Sequence, residues 1–168
     1  MINNVKVRLN RSELAVPGSR IEFFEKAAKS NADIVFLDLE DSVSISQKSS
    51  ARANVIEAVN DIDWKNKTLS IRVNSHDTEF INDDIEEIMK NTSSRLDLLM
   101  FPKVNSKKEV LKFDKLVTAY EKKFKRKKKI GFEIIIETTL GLININQIAI
   151  SSKRNESLHF GSADFAAS

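Results

Sequence analysis

Hydrophobic residues in this chain fall into short β-branched runs separated by longer stretches with helical spacing. Residues 12–16 form a first strand, stopped by the turn pair Pro17-Gly18. Phe23, Phe24, Ala27 and Ala28 then recur at the three- and four-residue spacing of one helix face. Residues 33–39 (DIVFLDL) suit a strand buried on both faces, and 47–59 turn helical again, with Ala51, Val55, Ala58 and Val59 along one side. The pattern continues with a strand over 68–73, a helix from about 77 to 91, and a strand over 96–101 that Pro102 closes. A long helix starts behind Ser106, whose hydroxyl suits an N-cap, and runs into a basic stretch beginning at Lys122. Residues 130–136 (IGFEIII) are the most strand-like of all, 142–150 are helical, and 156–160 supply a sixth strand.

Six strands alternating with five helices over short connections predict a parallel sheet with helical crossovers. Two α/β architectures satisfy this: an open doubly wound sheet, and a (β/α)8 TIM barrel. No GxGxxG sequence opens the first helix, which weakens the dinucleotide-binding version of the open sheet. No repeat beyond the βα unit, no linker and no second domain interrupts the pattern, so residues 1–168 read as a single β/α-barrel domain. A full barrel takes about 250 residues. This chain of 168 stops after its sixth strand, with Asp164-Phe165-Ala166-Ala167-Ser168 reading as the start of a further helix. The expectation is therefore an incomplete, truncated barrel with its C-terminal units missing and unpaired edges on its first and sixth strands.

Composition narrows the class without changing it. Hydrophobic content of 41% and charged content of 30% are ordinary for a soluble globular chain. With no cysteine, a disulfide framework, a thiolate zinc site and a cysteine nucleophile all drop out, which suits a reducing cytoplasm. The polar stretch 1–11 lacks the apolar centre of a secretory signal. No apolar run approaches the roughly 20 residues of a membrane span. The chain is expected to be cytoplasmic and to bind no membrane. Much of the net charge of +3 sits in residues 122–129. A single phenylalanine interrupts that run and no nucleic-acid motif surrounds it, so it reads as a solvated helix end complementing the helix dipole, and no nucleic-acid partner is expected.

Charged residues sit at the C-terminal edge of nearly every strand: Arg20 after the first, Glu40 and Asp41 after the second, Arg72 and Asn74 at the third, Lys103 after the fourth, Glu137 after the fifth, Asp164 after the sixth. In a parallel β/α fold these edges share the face on which active sites form. Glu137 and Asp164, at the ends of neighbouring strands, are the candidate metal ligands. All-oxygen ligation suits Mg2+, or Mn2+ in its place. The competing reading makes both of them helix N-caps. It is stronger for Asp164 than for Glu137, which follows a run of apolar strand residues and would be costly to bury unpaired. Arg72 reads either as a salt-bridge partner of Glu40 or Asp41 or as a forked donor for a substrate carbonyl or enolate, and the two roles are compatible. His76, in a polar loop, and His159, inside the sixth strand, read as structural.

Several motifs in order along the chain resemble the HpcH/HpaI aldolase and citrate-lyase β-subunit superfamily. They are Leu14-Ala15-Val16-Pro17-Gly18-Ser19-Arg20; Leu37-Asp38-Leu39-Glu40-Asp41-Ser42-Val43; Lys48 with Ala51-Arg52-Ala53-Asn54; and Ile71-Arg72-Val73-Asn74. Pro102-Lys103-Val104, Ile136-Glu137-Thr138 with Gly141, and Phe160-Gly161-Ser162-Ala163-Asp164-Phe165-Ala166-Ala167-Ser168 complete the series. Trp64 with Asn66-Lys67, Asp77-Thr78, and the strand from Phe132 to Glu137 resemble most closely its L-malyl-CoA/β-methylmalyl-CoA lyase group. The resemblance implies a (β/α)8 barrel with a C-terminal lid, assembled as a homo-oligomer. It implies Mg2+ on Glu137 and Asp164, and Arg72 on the substrate and its enolate. Arg20 and Lys26 would contact coenzyme A, Ala163 and Asp164 would lie on the substrate side, and Glu40 and Asp41 would orient Arg72 and metal-bound water. The implied reaction cleaves L-malyl-CoA or β-methylmalyl-CoA to acetyl-CoA or propionyl-CoA plus glyoxylate. The base would be an acidic lid residue, often from a neighbouring subunit. Citryl-CoA cleavage, and a non-catalytic remnant that binds CoA esters or serves assembly, are the alternatives.

Overall fold

The computed structural model describes residues 8–168, so the first seven residues of the polar N-terminal stretch lie outside the described residues. Six strands are present: β1 (Glu13–Pro17), β2 (Ile34–Asp38), β3 (Thr68–Arg72), β4 (Leu98–Phe101), β5 (Gly131–Ile136) and β6 (Asn155–Phe160). All five neighbouring pairs are parallel, and the order across the sheet is β1-β2-β3-β4-β5-β6. That order decides between the two architectures. A doubly wound sheet reverses direction at a switch point, whereas a barrel adds each strand beside the last. These six strands form an arc of a β/α barrel, with β1 and β6 at its edges.

The period of two along each strand sorts its side chains between two layers. Val35, Leu37, Leu69, Ile71, Leu99, Phe101, Phe132 and Ile134 join one continuous apolar core with Ala51, Val55, Ile85, Ile88, Val110 and Val117 of the helices. The alternate positions, Phe36, Asp38, Ser70, Arg72, Met100 and Glu133, face the barrel interior, and this is why buried strands here carry charge. The crossovers are α1 (Phe24–Lys29), α2 (Lys48–Asp61), α3 (Ile81–Asn91), α4 (Lys107–Lys123) and the pair α5 (Thr139–Ile143) and α6 (Ile145–Ala149). A further helix, α7 (Ser162–Ala167), follows β6. On the outer side of β6, Leu158 and Phe160 remain exposed.

Two predicted helices differ from their observed form for local reasons. The helix expected from about 77 begins only at Ile81, because Ser75 to Thr78 closes a turn in which both the N–H and the hydroxyl of Thr78 donate to the Ser75 carbonyl. The helix expected over 142–150 is split at Asn144, whose side chain donates to the Asn105 carbonyl at 2.9 Å and ties the break to the preceding βα loop. The basic run behaves as a helix end: Lys122 and Lys123 occupy the last turn of α4. Arg126 then donates to the carbonyls of Met89, Thr92 and Ser93, satisfying the C-terminus of α3. Among the described residues no helix is long and apolar enough to cross a membrane.

Ser106 is the expected cap of α4, its Oγ accepting the Glu109 N–H at 3.4 Å while Glu109 Oε2 accepts the Asn105 N–H at 2.8 Å. The first bond satisfies a helix-end donor, and the second holds the residue before the cap against the first turn. Ser106→Ala is expected to cost about 1 kcal/mol, read as a lower midpoint in urea at unchanged slope.

Candidate functional site

The upper rim of the arc is built from strand ends. In the register of β2 with β3, Asp38 lies opposite Arg72, and both alternate toward the interior. Arg72 grips Asp38 with both prongs of its fork, Nε to Oδ1 at 2.7 Å and Nη2 to Oδ2 at 2.8 Å. Its Nη1 stands 3.3 Å from Glu40 Oε2 and 4.0 Å from Asp41 Oδ2. Burial works to raise the Asp38 pKa, but Arg72, the Ser42 hydroxyl and the Glu40 N–H together hold it below its ordinary value. Burial would likewise lower the pKa of Arg72, and the three carboxylates instead raise it. The expected Arg72 pairing with Glu40 and Asp41 is thus present but secondary. The principal partner is Asp38, which register with Arg72 would have revealed.

Lys103 joins the two halves of the rim. Its backbone lies in the left-handed region at φ 54°, which turns its N–H onto Glu137 Oε1 at 2.7 Å. Its Nζ reaches Glu40 Oε1 at 2.9 Å and Asp41 Oδ1 at 3.6 Å. Across from it, Gly161 gives Glu137 room: a Cβ there would meet Glu137 Oε2 at 2.5 Å and Glu137 Cβ at 2.7 Å. Asp164 stands in the first turn of α7.

The capping alternative fails for both acids. The cap of α5 is Thr138, whose side chain accepts from the Gly141 N–H, and the cap position of α7 is Gly161, which makes no side-chain cap bond. Glu137 is instead a buried carboxyl, only 3% exposed, with no salt-bridge partner among the described residues. Burial pushes its pKa up to about 7. The Lys103 N–H opposes that rise, and the neighbouring carboxyls of Asp164 and Glu40 add to it. Two adjacent acids, one of them pushed by burial and its neighbours to keep its proton up to about pH 7, fit a hard divalent cation that would take up the charge of both.

A pH dependence follows. A carboxyl raised from 4.5 to about 7 keeps its proton in the folded chain while the unfolded chain has lost it. Its contribution to stability is therefore greatest at low pH and disappears as pH rises through that window. In chelator, thermal unfolding of the wild type is expected to move to lower temperature between pH 4.5 and about 7, and Glu137→Gln to show a shallower decline. Glu13, raised to about 7 mainly by burial and then by Glu133, supplies the slope that remains.

Arg72, Asp41, Glu137, Ala163 and Asp164 border one cavity of about 460 Å³, together with Glu13 and His159. Arg20 and Lys26 do not line it. They flank the Phe23 ring on the β1–α1 segment, 4.9 and 5.5 Å from its centroid, with Arg20 also paired to Glu22. A larger cavity, about 710 Å³, opens at the strand starts between Asp33, Lys67, Arg95 and Asp97. Asp97 there is held by Arg8, Arg95 and Lys128. In β/α barrels that end serves stability and the opposite end serves chemistry, so the smaller cavity is the candidate site.

Comparison with known proteins identifies the family. The L-malyl-CoA/beta-methylmalyl-CoA lyase of Rhodobacter capsulatus is 48% identical over 161 residues, covering 96% of this chain and 51% of that protein. Citrate lyase subunit beta of Leuconostoc mesenteroides subsp. cremoris is 33% identical over 94% of this chain and 52% of its own length. The chain spans about half the length of the curated relatives it matches. The crystal structure of protein CitE from Mycobacterium tuberculosis, in complex with magnesium, acetoacetate and coenzyme A, superposes with a TM-score of 0.73 at 26% identity, covering 95% of this chain and 52% of that one. Residues 11–168 match the family described as HpcH/HpaI aldolase/citrate lyase, and the chain belongs to it.

Proposed function

We propose that this chain carries the metal- and substrate-binding part of an acyl-CoA carbon–carbon lyase, acting in the cytoplasm as one β/α-barrel unit. The reaction is reversible cleavage of L-malyl-CoA or β-methylmalyl-CoA to acetyl-CoA or propionyl-CoA plus glyoxylate. The observation that carries this reading is the rim itself, where the clamped Arg72 fork and the Glu137–Asp164 pair border one cavity. The malyl-CoA lyase relative at 48% identity supports the choice of substrate.

Glu137 and Asp164 would hold the Mg2+ ion, or Mn2+ in its place. When bound, that ion supplies Lewis-acid polarisation and a template for the carboxylate and carbonyl of an α-oxo acid. Arg72, fixed on one side by Asp38 and Glu40, directs its remaining N–H groups at the thioester oxygen. That oxygen gains negative charge when the C–C bond breaks and its electron pair passes into the enolate. Glu40, Asp41 and Lys103 hold Arg72 and Glu137 in register. Arg20 and Lys26, apart from the cavity, would contact the distal part of coenzyme A. The hydroxyl proton would go to a carboxylate of the lid from a neighbouring subunit of the homo-oligomer, and protonation of the enolate carbon would complete acetyl-CoA or propionyl-CoA.

Calorimetry with this chain tests the reading. Malyl-CoA is expected to bind in Mg2+ and to lose that binding in EDTA, and binding that chelation leaves unchanged would overturn it. The citrate lyase β relative at 33% identity favours a second reading, citryl-CoA cleavage. Its ligand would be citryl-CoA, and preferential Mg2+-dependent binding of that thioester would select it.

A further inference from the structure

Deeper in the barrel interior than the rim, Glu13 of β1, Glu133 of β5 and His159 of β6 converge, and one ligand-capable atom of each lies within 4.8 Å of the others. His159 Nδ1 is 3.3 Å from Glu13 Oε2, and its Nε2 is 3.3 Å from Glu133 Oε1. The Ser157 hydroxyl bridges the second contact, 2.9 Å from His159 Nε2 and 3.3 Å from Glu133 Oε1. Glu133 is fully buried, yet its Oε2 has no hydrogen-bond partner, and neither has the buried Glu13 Oε1. Among the described residues no lysine or arginine pairs with either carboxylate.

Ionising both carboxylates against one imidazolium leaves a net negative charge, with no further cation paired to either among the described residues to offset it. A proton on the ring also leaves both orphan oxygens without a donor. A divalent cation answers both deficits at once. We propose that Glu13, Glu133 and His159 form a second cation site, separate from the Glu137–Asp164 pair, that takes a first-row transition ion of the Zn2+ or Fe2+ class. The imidazole nitrogen sets that class: Mg2+ prefers oxygen ligands and retained waters, whereas mixed imidazole and carboxylate donors suit Zn2+, Fe2+ and Co2+. The ion has a way in, because Glu13 and His159 line the cavity that opens at the rim. Its ligands come from both edge strands of the arc, β1 and β6, so a bound ion ties those edges together across the interior.

The test uses Co2+ as a spectroscopic probe, added to the chelator-stripped chain with the rim pair saturated by excess Mg2+. One Mg2+-resistant Co2+ per chain is expected by calorimetry and visible absorption. Glu133→Gln and His159→Asn should each weaken its binding by at least about 10-fold, while Glu137→Gln leaves it in place. Co2+ uptake that Mg2+ blocks completely, or that vanishes in Glu137→Gln and survives in Glu133→Gln, overturns the proposal. So does the absence of Mg2+-resistant uptake, the result for a cluster that holds only a proton. X-ray absorption on the wild type needs no variant to fold. An imidazole in the Co2+ shell supports the site, and a shell of oxygens alone overturns it.

Discussion

Glu137→Gln is expected to lower Mg2+ affinity by at least about 100-fold while making the metal-free chain no less stable than the wild type. The two effects share one cause. Glutamine keeps the volume of the side chain and a carbonyl oxygen that can still accept the Lys103 N–H seen at 2.7 Å. It removes the negative charge whose burial beside Asp164 and Glu40 pushes the Glu137 pKa up to about 7. Without metal that charge only costs stability at neutral pH. With metal it would be the principal anchor of the proposed site. Isothermal titration with Mg2+, paired with thermal unfolding in chelator at pH 7.5, reads both quantities. A purely structural Glu137 gives the opposite pair of results, with unfolding at lower temperature and an unchanged Mg2+ isotherm.

What made Glu137 legible from the sequence is that its chemistry and its position coincide: a lone acid closing an apolar strand is costly wherever that strand is buried. Asp164 carried less information alone, since an acid near the start of a helix is ordinary. Its meaning depends on Gly161 and Glu137, across the β5–β6 ladder. The strands themselves were readable because burial on both faces leaves long apolar runs. The strand order came with the barrel expectation and not from the strands one by one, because open and closed parallel sheets are made of the same βα units. In the sequence Asp38 is one of three acids, beside Glu40 and Asp41, with nothing to mark it. Only the register that places it opposite Arg72 separates it from the other two. The left-handed turn at Lys103 had no signal, since that conformation usually selects glycine or asparagine. Glu13 and His159 lie on opposite edges of the sheet, and only the curvature of the arc brings them within reach.

Arg72→Met is expected to damage the protein twice, and the two kinds of damage separate. Asp38 is 1% exposed and its carboxylate rests on the Arg72 fork, so removing the guanidinium strands a buried charge. Breaking one side of such a pair costs about 3–5 kcal/mol, or roughly 10 °C in melting temperature for a chain of this size. Adding Asp38→Asn discharges the stranded group. Asparagine still has an oxygen for the Glu40 N–H that Asp38 accepts at 2.8 Å, so the double variant should regain a large part of the loss. In a double-mutant cycle this appears as a coupling energy well above the scatter of independent sites. Substrate-side function follows different logic. If Arg72 acts as proposed, its donor to the thioester oxygen is absent from both variants, and losing one such donor costs about 100- to 1,000-fold in turnover. Asp38→Asn cannot restore it. Arg72→Lys keeps a charge but not the fork, so it should regain more stability than turnover. Recovery of stability without recovery of turnover identifies Arg72 as a group that acts on substrate and is held in place by Asp38. If the two recover in step, Arg72 is a structural ion pair, and in the proposed reaction the negative charge of the enolate would be offset elsewhere on the rim, with the Lys103 ammonium the next candidate.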